Sequence, residues 1–142
     1  TALQNISTLL NIAKSRGAII RTTVLSRAFS AGSLLAIQGT PGFRIMAHDA
    51  RHMIHFGSIA ITVKNPDDIA VRAQQITEQK RIIQQKYKTY TKIPDEKLHQ
   101  MMRCESGFLT APECMEMGLC DWILGEGGII NTIKRKTRQK TI

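Results

Sequence analysis

Two apolar runs, Ile19 to Leu25 and Leu34 to Ile37, flank the small-residue stretch Ala28-Phe29-Ser30-Ala31-Gly32-Ser33. The pattern reads as a strand that turns sharply into a helix, with a serine at the turn. Such an elbow exposes a hydroxyl, and small neighbours let a substrate backbone approach it. The helix that follows brings free N–H groups and the positive end of its dipole to the same place. A second apolar run ends in Met53-Ile54-His55, so Ser30 and His55 are expected at one edge of a common sheet. A serine is inert at neutral pH without a base in hydrogen-bond reach, which makes the pair the candidate nucleophile and general base.

The rest of the chain reads as strands alternating with helices. Residues 2 to 15 place Leu3, Ile6, Leu10 and Ala13 on one helical face, and Gly17 is a natural stop. Ala18 to Leu25 is predicted as a buried strand, Ser30 to Gln38 as the helix after the elbow, and Gly39 to Gly42 as a turn. Phe43 to Ala47 and Arg51 to Phe56 are predicted as strands, and Ile59 to Val63 as extended chain. Asn65-Pro66-Asp67-Asp68 predicts a helix start capped by Asn65, with the helix running to about Tyr90. Its apolar positions Ile69, Ala73, Ile76, Ile83, Tyr87 and Tyr90 form a near-heptad stripe on a helix longer than a small domain covers by itself. Pro94 opens a further helix to about Arg103. Thr110-Ala111-Pro112-Glu113 has the spacing of a capping box, Gly118 ends that short helix, and Leu119 to Leu124 is a last strand before a turn at Gly125 to Gly128. The alternation predicts an α/β domain with a largely parallel sheet.

Composition narrows the class. The 142 residues suit one domain, and 5% aromatic content against 42% apolar residues predicts an aliphatic core. Three cysteines without CxxC spacing fit a reducing compartment and suggest neither a disulfide frame nor a zinc site. No apolar run approaches the roughly 18 residues of a membrane helix, so no membrane association is expected. The net charge is +9, with no acid before Asp49 and a cluster of Lys134, Arg135, Lys136, Arg138 and Lys140 near the end. No aromatic residues interleave with that tail, so it reads as a solvated, disordered end rather than a nucleic-acid arm. The acid-free start resembles a transit peptide, but its strand leads into Ser30 and is assigned to the domain. The expected division is a domain over residues 1–129 and a basic tail over 130–142.

The stretch from Ala28 to Ser58 resembles the active-site block of the Clp protease proteolytic subunit, ClpP, in which a nucleophile serine precedes a small-residue helix and a later strand ends in Met-Ile-His. Phe108 to Leu124, FLTAPECMEMGLCDWIL, resembles that family's C-terminal signature. The resemblance implies a ClpP/crotonase-like α/β fold whose long helix projects as a handle that interlocks rings. It also implies a serine endopeptidase subunit that cuts unfolded polypeptides inside a homo- or hetero-oligomeric ring, fed by a ring-shaped ATPase. No cofactor is implied, and the compartment is the cytoplasm or an organelle's stroma or matrix. Ser30 would be the nucleophile, His55 the base and the Ala31 N–H an oxyanion donor, while His48 and His52 do not match the motif. The chain departs from the family twice. Ser106 stands where an ungapped match expects aspartate, with Glu105 adjacent as the other candidate to orient His55. Thr1 aligns inside the family's second or third helix, so the glycine-rich turn that supplies the second oxyanion donor is not in the sequence, and an N-terminally incomplete or divergent copy is expected. A catalytically inactive ring subunit and a crotonase-type acyl-CoA enzyme are the alternatives.

Overall fold

The computed structural model describes residues 2–57, 62–103, 107–125 and 128–130. Helix α1 (Ala2–Ser15) comes first, and Gly17 at φ +85° ends it. Two strand–bend–strand units follow: β1 (Thr22–Val24) with β2 (Arg27–Phe29), then, after helix α2 (Ala31–Ala36), β3 (Arg44–Ala47) with β4 (Arg51–Met53). The first limbs join one sheet and the second limbs another. In the four-stranded sheet the order is β1-β3-β6-β7, where β6 is Trp122–Gly125 and β7 is Gly128–Ile130. Both β1–β3 and β3–β6 are parallel, and β7 closes antiparallel on β6. In the three-stranded sheet β2 runs parallel to β4, and β5 (Phe108–Thr110) runs antiparallel to β4. Ladder bonding continues through the bends, with Arg51 N–H donating to Ser26 C=O and His48 N–H to Leu124 C=O, each at 2.8 Å.

The core lies where the two sheets and the helices meet, around Leu34, Ile37, Met46, Ile54, Tyr87, Leu98, Leu109, Cys114 and Leu119. It is aliphatic apart from Tyr87, as the composition predicts. Helix α4 (Asp95–Arg103) buries Leu98, Met101 and Met102 on it. The capping box of helix α5 (Ala111–Glu116) has both its arms. Thr110 Oγ1 accepts from Glu113 N–H at 3.5 Å, and Glu113 Oε2 accepts from Thr110 N–H at 2.8 Å.

Several expectations are corrected. Ala18 to Leu25 is not a buried strand: β1 spans three residues, and Ile19 and Leu25 are 63% and 69% exposed. β1 is an edge strand of its sheet among the described residues, and only Val24 of it is buried. On α1 the buried position is Ser7 rather than Ile6, and Lys14 extends that face by donating to Gln38 C=O at 2.9 Å. Asn65 does not cap the long helix α3 (Asp68–Tyr90); its Oδ1 accepts from Asp67 N–H, and Asp67 is the N-cap. β4 stops at Met53, short of Phe56, and β7 continues the chain as a hairpin beyond the expected turn. Most of Ile59–Val63 and the basic tail from residue 131 lie outside the described residues.

Helix α3 has 23 residues and divides into two parts. Ile83, Tyr87 and Tyr90 pack on the core, whereas Ile69, Val71 and Ala73 are exposed as the helix runs away from it. The apolar stripe therefore serves the domain only at its C-terminal end.

One ion pair joins the parts. Arg44 at the start of β3 donates from Nε to Asp121 Oδ2 at 2.9 Å and from Nη2 to Oδ1 at 2.7 Å. Its Nη1 donates to Tyr90 C=O and Gly118 C=O, the ends of α3 and α5, at 2.7 and 2.8 Å. Asp121 Oδ2 also accepts from the N–H groups of Gly42 and Arg44. Burial pushes the Asp121 carboxyl up, but the Arg44 side-chain and backbone hydrogen bonds outweigh it and hold the pKa below the ordinary carboxylate value. Removing Arg44 leaves the half-buried Asp121 carboxylate without its counter-charge and takes this donor from the carbonyls of Tyr90 and Gly118. Arg44→Leu should lose on the order of 3 kcal/mol in urea unfolding, and Arg44→Leu with Asp121→Leu should lose less than the two single changes added. Unchanged stability in Arg44→Leu would contradict this role.

Candidate active site

Ser30 follows β2 directly and stands at φ +51°, ψ −113°. A non-glycine residue there costs on the order of 1–3 kcal/mol, and such strain persists only where the surroundings impose it. They do so through the Ser30 N–H, which donates to Met53 C=O at 3.0 Å, and the Ser30 C=O, which accepts from Leu34 N–H at 3.1 Å. Although Ser30 occupies the N-cap position of α2, its side chain makes no capping bond. The residue is half-buried. Ala31 begins the helix, where an N–H has no intrahelical acceptor. A Cβ added to Gly32 would meet nothing within 4 Å, so that side of the elbow is open.

β2 and β4 pair with Phe29 opposite Met53. Ser30 and His55 therefore leave the same end of the same parallel pair, as the sequence predicts. Among the described residues no hydrogen bond joins their side chains. His55 is half-buried, two residues past β4. Ile54 N–H donates to Gly107 C=O at 3.4 Å, so Gly107 sits beside the His55 segment. A Cβ on Gly107 would lie 3.0 Å from Ile54 C=O, which explains a glycine there. Glu105 and Ser106 lie outside the described residues. Phe29 and Phe108 meet edge to face at 5.4 Å and form an aromatic contact beside these strand ends.

The other histidines fall elsewhere. His48 is exposed on the bend between β3 and β4, and His52 is inside β4, so the three histidines do not share one strand. His52 has a serine partner, but the serine is Ser33. Ser33 Oγ and His52 Nδ1 are 3.0 Å apart, and Tyr87 Oη donates to Ser33 Oγ at 2.9 Å. All three are buried, with Ser33 and His52 at 0% and 1% exposure. A substrate has no access to this serine. Sequence reasoning missed Ser33 and Tyr87 because no local pattern links positions on α2, β4 and α3. Burial lowers the His52 pKa to about 4, which keeps the ring neutral. Cys114 and Cys120 are also buried; burial pushes both thiols up, Cys120 to about 12, so neither is a thiolate nucleophile at neutral pH.

A family model described as Clp protease matches residues 1–127. The chain belongs to the Clp protease family. It is 30% identical over 105 residues to the ATP-dependent Clp protease proteolytic subunit 1 of Bifidobacterium longum, covering 74% of this chain and 45% of that protein. It is 29% identical over 107 residues to the ATP-dependent Clp protease proteolytic subunit of Deinococcus radiodurans, covering 75% and 52%. The chain thus spans about half the length of the curated relatives it matches. A crystal structure of a peptidase from Plasmodium falciparum superimposes with a TM-score of 0.70 at 16% identity, over 86% of this chain and 66% of that one. The α/β fold expected from the two sequence blocks is therefore the fold observed. None of the described helices is long and apolar enough to cross a membrane.

The low pKa of His52 has a consequence for stability. The unfolded chain takes up a proton near pH 6.5, whereas the folded chain resists until about pH 4. Stability from this group is thus full above pH 6.5 and falls as pH drops through that window, by about 3 kcal/mol. The stability difference between the unmutated chain and His52→Gln, from urea unfolding at pH 7 and pH 4, should shrink by that amount. A pH-independent difference would contradict a neutral buried imidazole.

Proposed function

We propose that this chain carries the nucleophile and general base of a ClpP-like serine endopeptidase subunit, which cleaves unfolded polypeptides within a ring of ClpP-like subunits. Ser30 Oγ attacks the scissile carbonyl while His55 takes its proton, and the oxyanion accepts a hydrogen bond from Ala31 N–H. His55 then protonates the leaving amine, and water, deprotonated by the same imidazole, releases the acyl group from Ser30. The single observation that supports this best is Ser30 itself: a strained elbow serine, bonded through its backbone to the strand that leads to His55, whose hydroxyl is not spent on capping. Glu105 orients His55 in this reading, with Ser106 as the alternative. The ring is fed by a ring-shaped ATPase in the cytoplasm or an organelle's stroma or matrix. The projecting half of α3 supplies a contact between subunits, because Ile69, Val71 and Ala73 are exposed on it.

A second reading is a catalytically inactive subunit of a mixed ring. It is favoured by the serine at position 106 and by the lack of a Ser30–His55 hydrogen bond among the described residues.

Ser30→Ala and His55→Ala should each abolish cleavage of a fluorogenic peptide by the assembled protein, and the double variant should be no worse than either, since such residues act as a unit. Full activity in either single variant would remove the assignment. Ile69→Glu with Ile76→Glu should shift light scattering from the assembly toward smaller species while circular dichroism stays unchanged. A monodisperse monomer before mutation would contradict the ring role of α3.

A further inference from the structure

We propose that Ser33, His52 and Tyr87 form a positioning unit that clamps the Ser30 elbow to the strand leading to His55 and to the base of the long helix. The proposal rests on the reading of Ser30 as nucleophile. Helix α2 has six residues, too few to hold its own geometry, and it starts from a strained residue. Two bonds tie it to β4. The backbone bond runs from Ser30 N–H to Met53 C=O, and the side-chain bond joins Ser33 Oγ to His52 Nδ1, one residue earlier on β4. Core packing of Leu34 and Ile37 holds the helix as a whole, and the two bonds to β4 fix its first turn at two points. Tyr87 adds the third element, since its hydroxyl donates to Ser33 Oγ from α3. With Tyr87 donating, Ser33 is left to give its own proton to Nδ1, and the neutral imidazole suits that role. Apolar side chains would fill this 0–1% exposed space without the cost of burying three polar groups. Mutually satisfied polar groups instead impose one geometry, and they do so three residues from the nucleophile on one side and three from the base on the other.

The test is inactivation by a fluorophosphonate, with the maximal rate (kinact) and half-saturating concentration (KI) measured separately, well below every variant's melting temperature. Tyr87→Phe removes only the hydroxyl, and Ser33→Ala removes the hub; should Ser33→Ala fail to fold, Tyr87→Phe carries the test. Each should lower kinact about tenfold with KI unchanged, and the double variant should be no slower than the slower single one. Amide exchange at residues 31–34 should quicken in the same variants. A lowered melting temperature with kinact as in the unmutated protein would mean that the network is only structural, and would overturn the proposal while leaving the nucleophile standing. An unmutated protein that is not labelled would overturn the nucleophile reading, and the positioning role with it.

Discussion

Arg44 carries a positive charge into the interior at the start of a central strand, and four of its five guanidinium N–H groups are bonded there. Asp121 takes two of them, and the carbonyls that end α3 and α5 take the others. A guanidinium suits this place because its planar fork meets a carboxylate side-on while its remaining N–H groups point elsewhere. The pair therefore sets more than the β3–β6 register. It fixes where the long helix stops and where the last crossover returns to the sheet. Asp121 N–H donating to Arg44 C=O, and Trp122 Nε1–H to Gly42 C=O, repeat the same join through other atoms.

From that anchor the route to the site is short. β3 leads through the bend at 48–50 into β4, and β4 holds Ser30 by its backbone and Ser33 through His52. The two sheets divide the work. One contains the ion pair and the closing hairpin, and the other delivers the ends of β2 and β4, with the start of β5 beside them, to one place. The strain at Ser30 is tolerable because both of its backbone polar groups are bonded, one of them to a neighbouring strand.

What was legible in the sequence was what is local. The capping box at Thr110, the stops at Gly17 and Gly118 and the elbow at Ser30 all act over a few residues, and each is found where its pattern places it, whereas the strand that was to end in Met-Ile-His stops at Met53. Two of the local patterns that misled show why. Ile19 to Leu25 is apolar enough for a buried strand, but it meets an edge, so pairing and not hydropathy decided its length. Asn65-Pro66 has the chemistry of a helix cap, yet Asn65 closes a turn onto Asp67 and the helix starts later. Long-range partners were out of reach. Nothing near Arg44 announces Asp121, and Ser33, His52 and Tyr87 each look ordinary until the fold brings them together. His52 lacks the motif position, and no local pattern announces its buried partner Ser33.

Two serines lie at the elbow, Ser30, strained and half-buried, and Ser33, buried against a histidine. Treatment with diisopropyl fluorophosphate, tryptic digestion and fragmentation of the peptide spanning residues 28–44 reads directly which of them reacts. An adduct on Ser30 is the predicted result. An adduct on Ser33, or none on this peptide, would contradict the account.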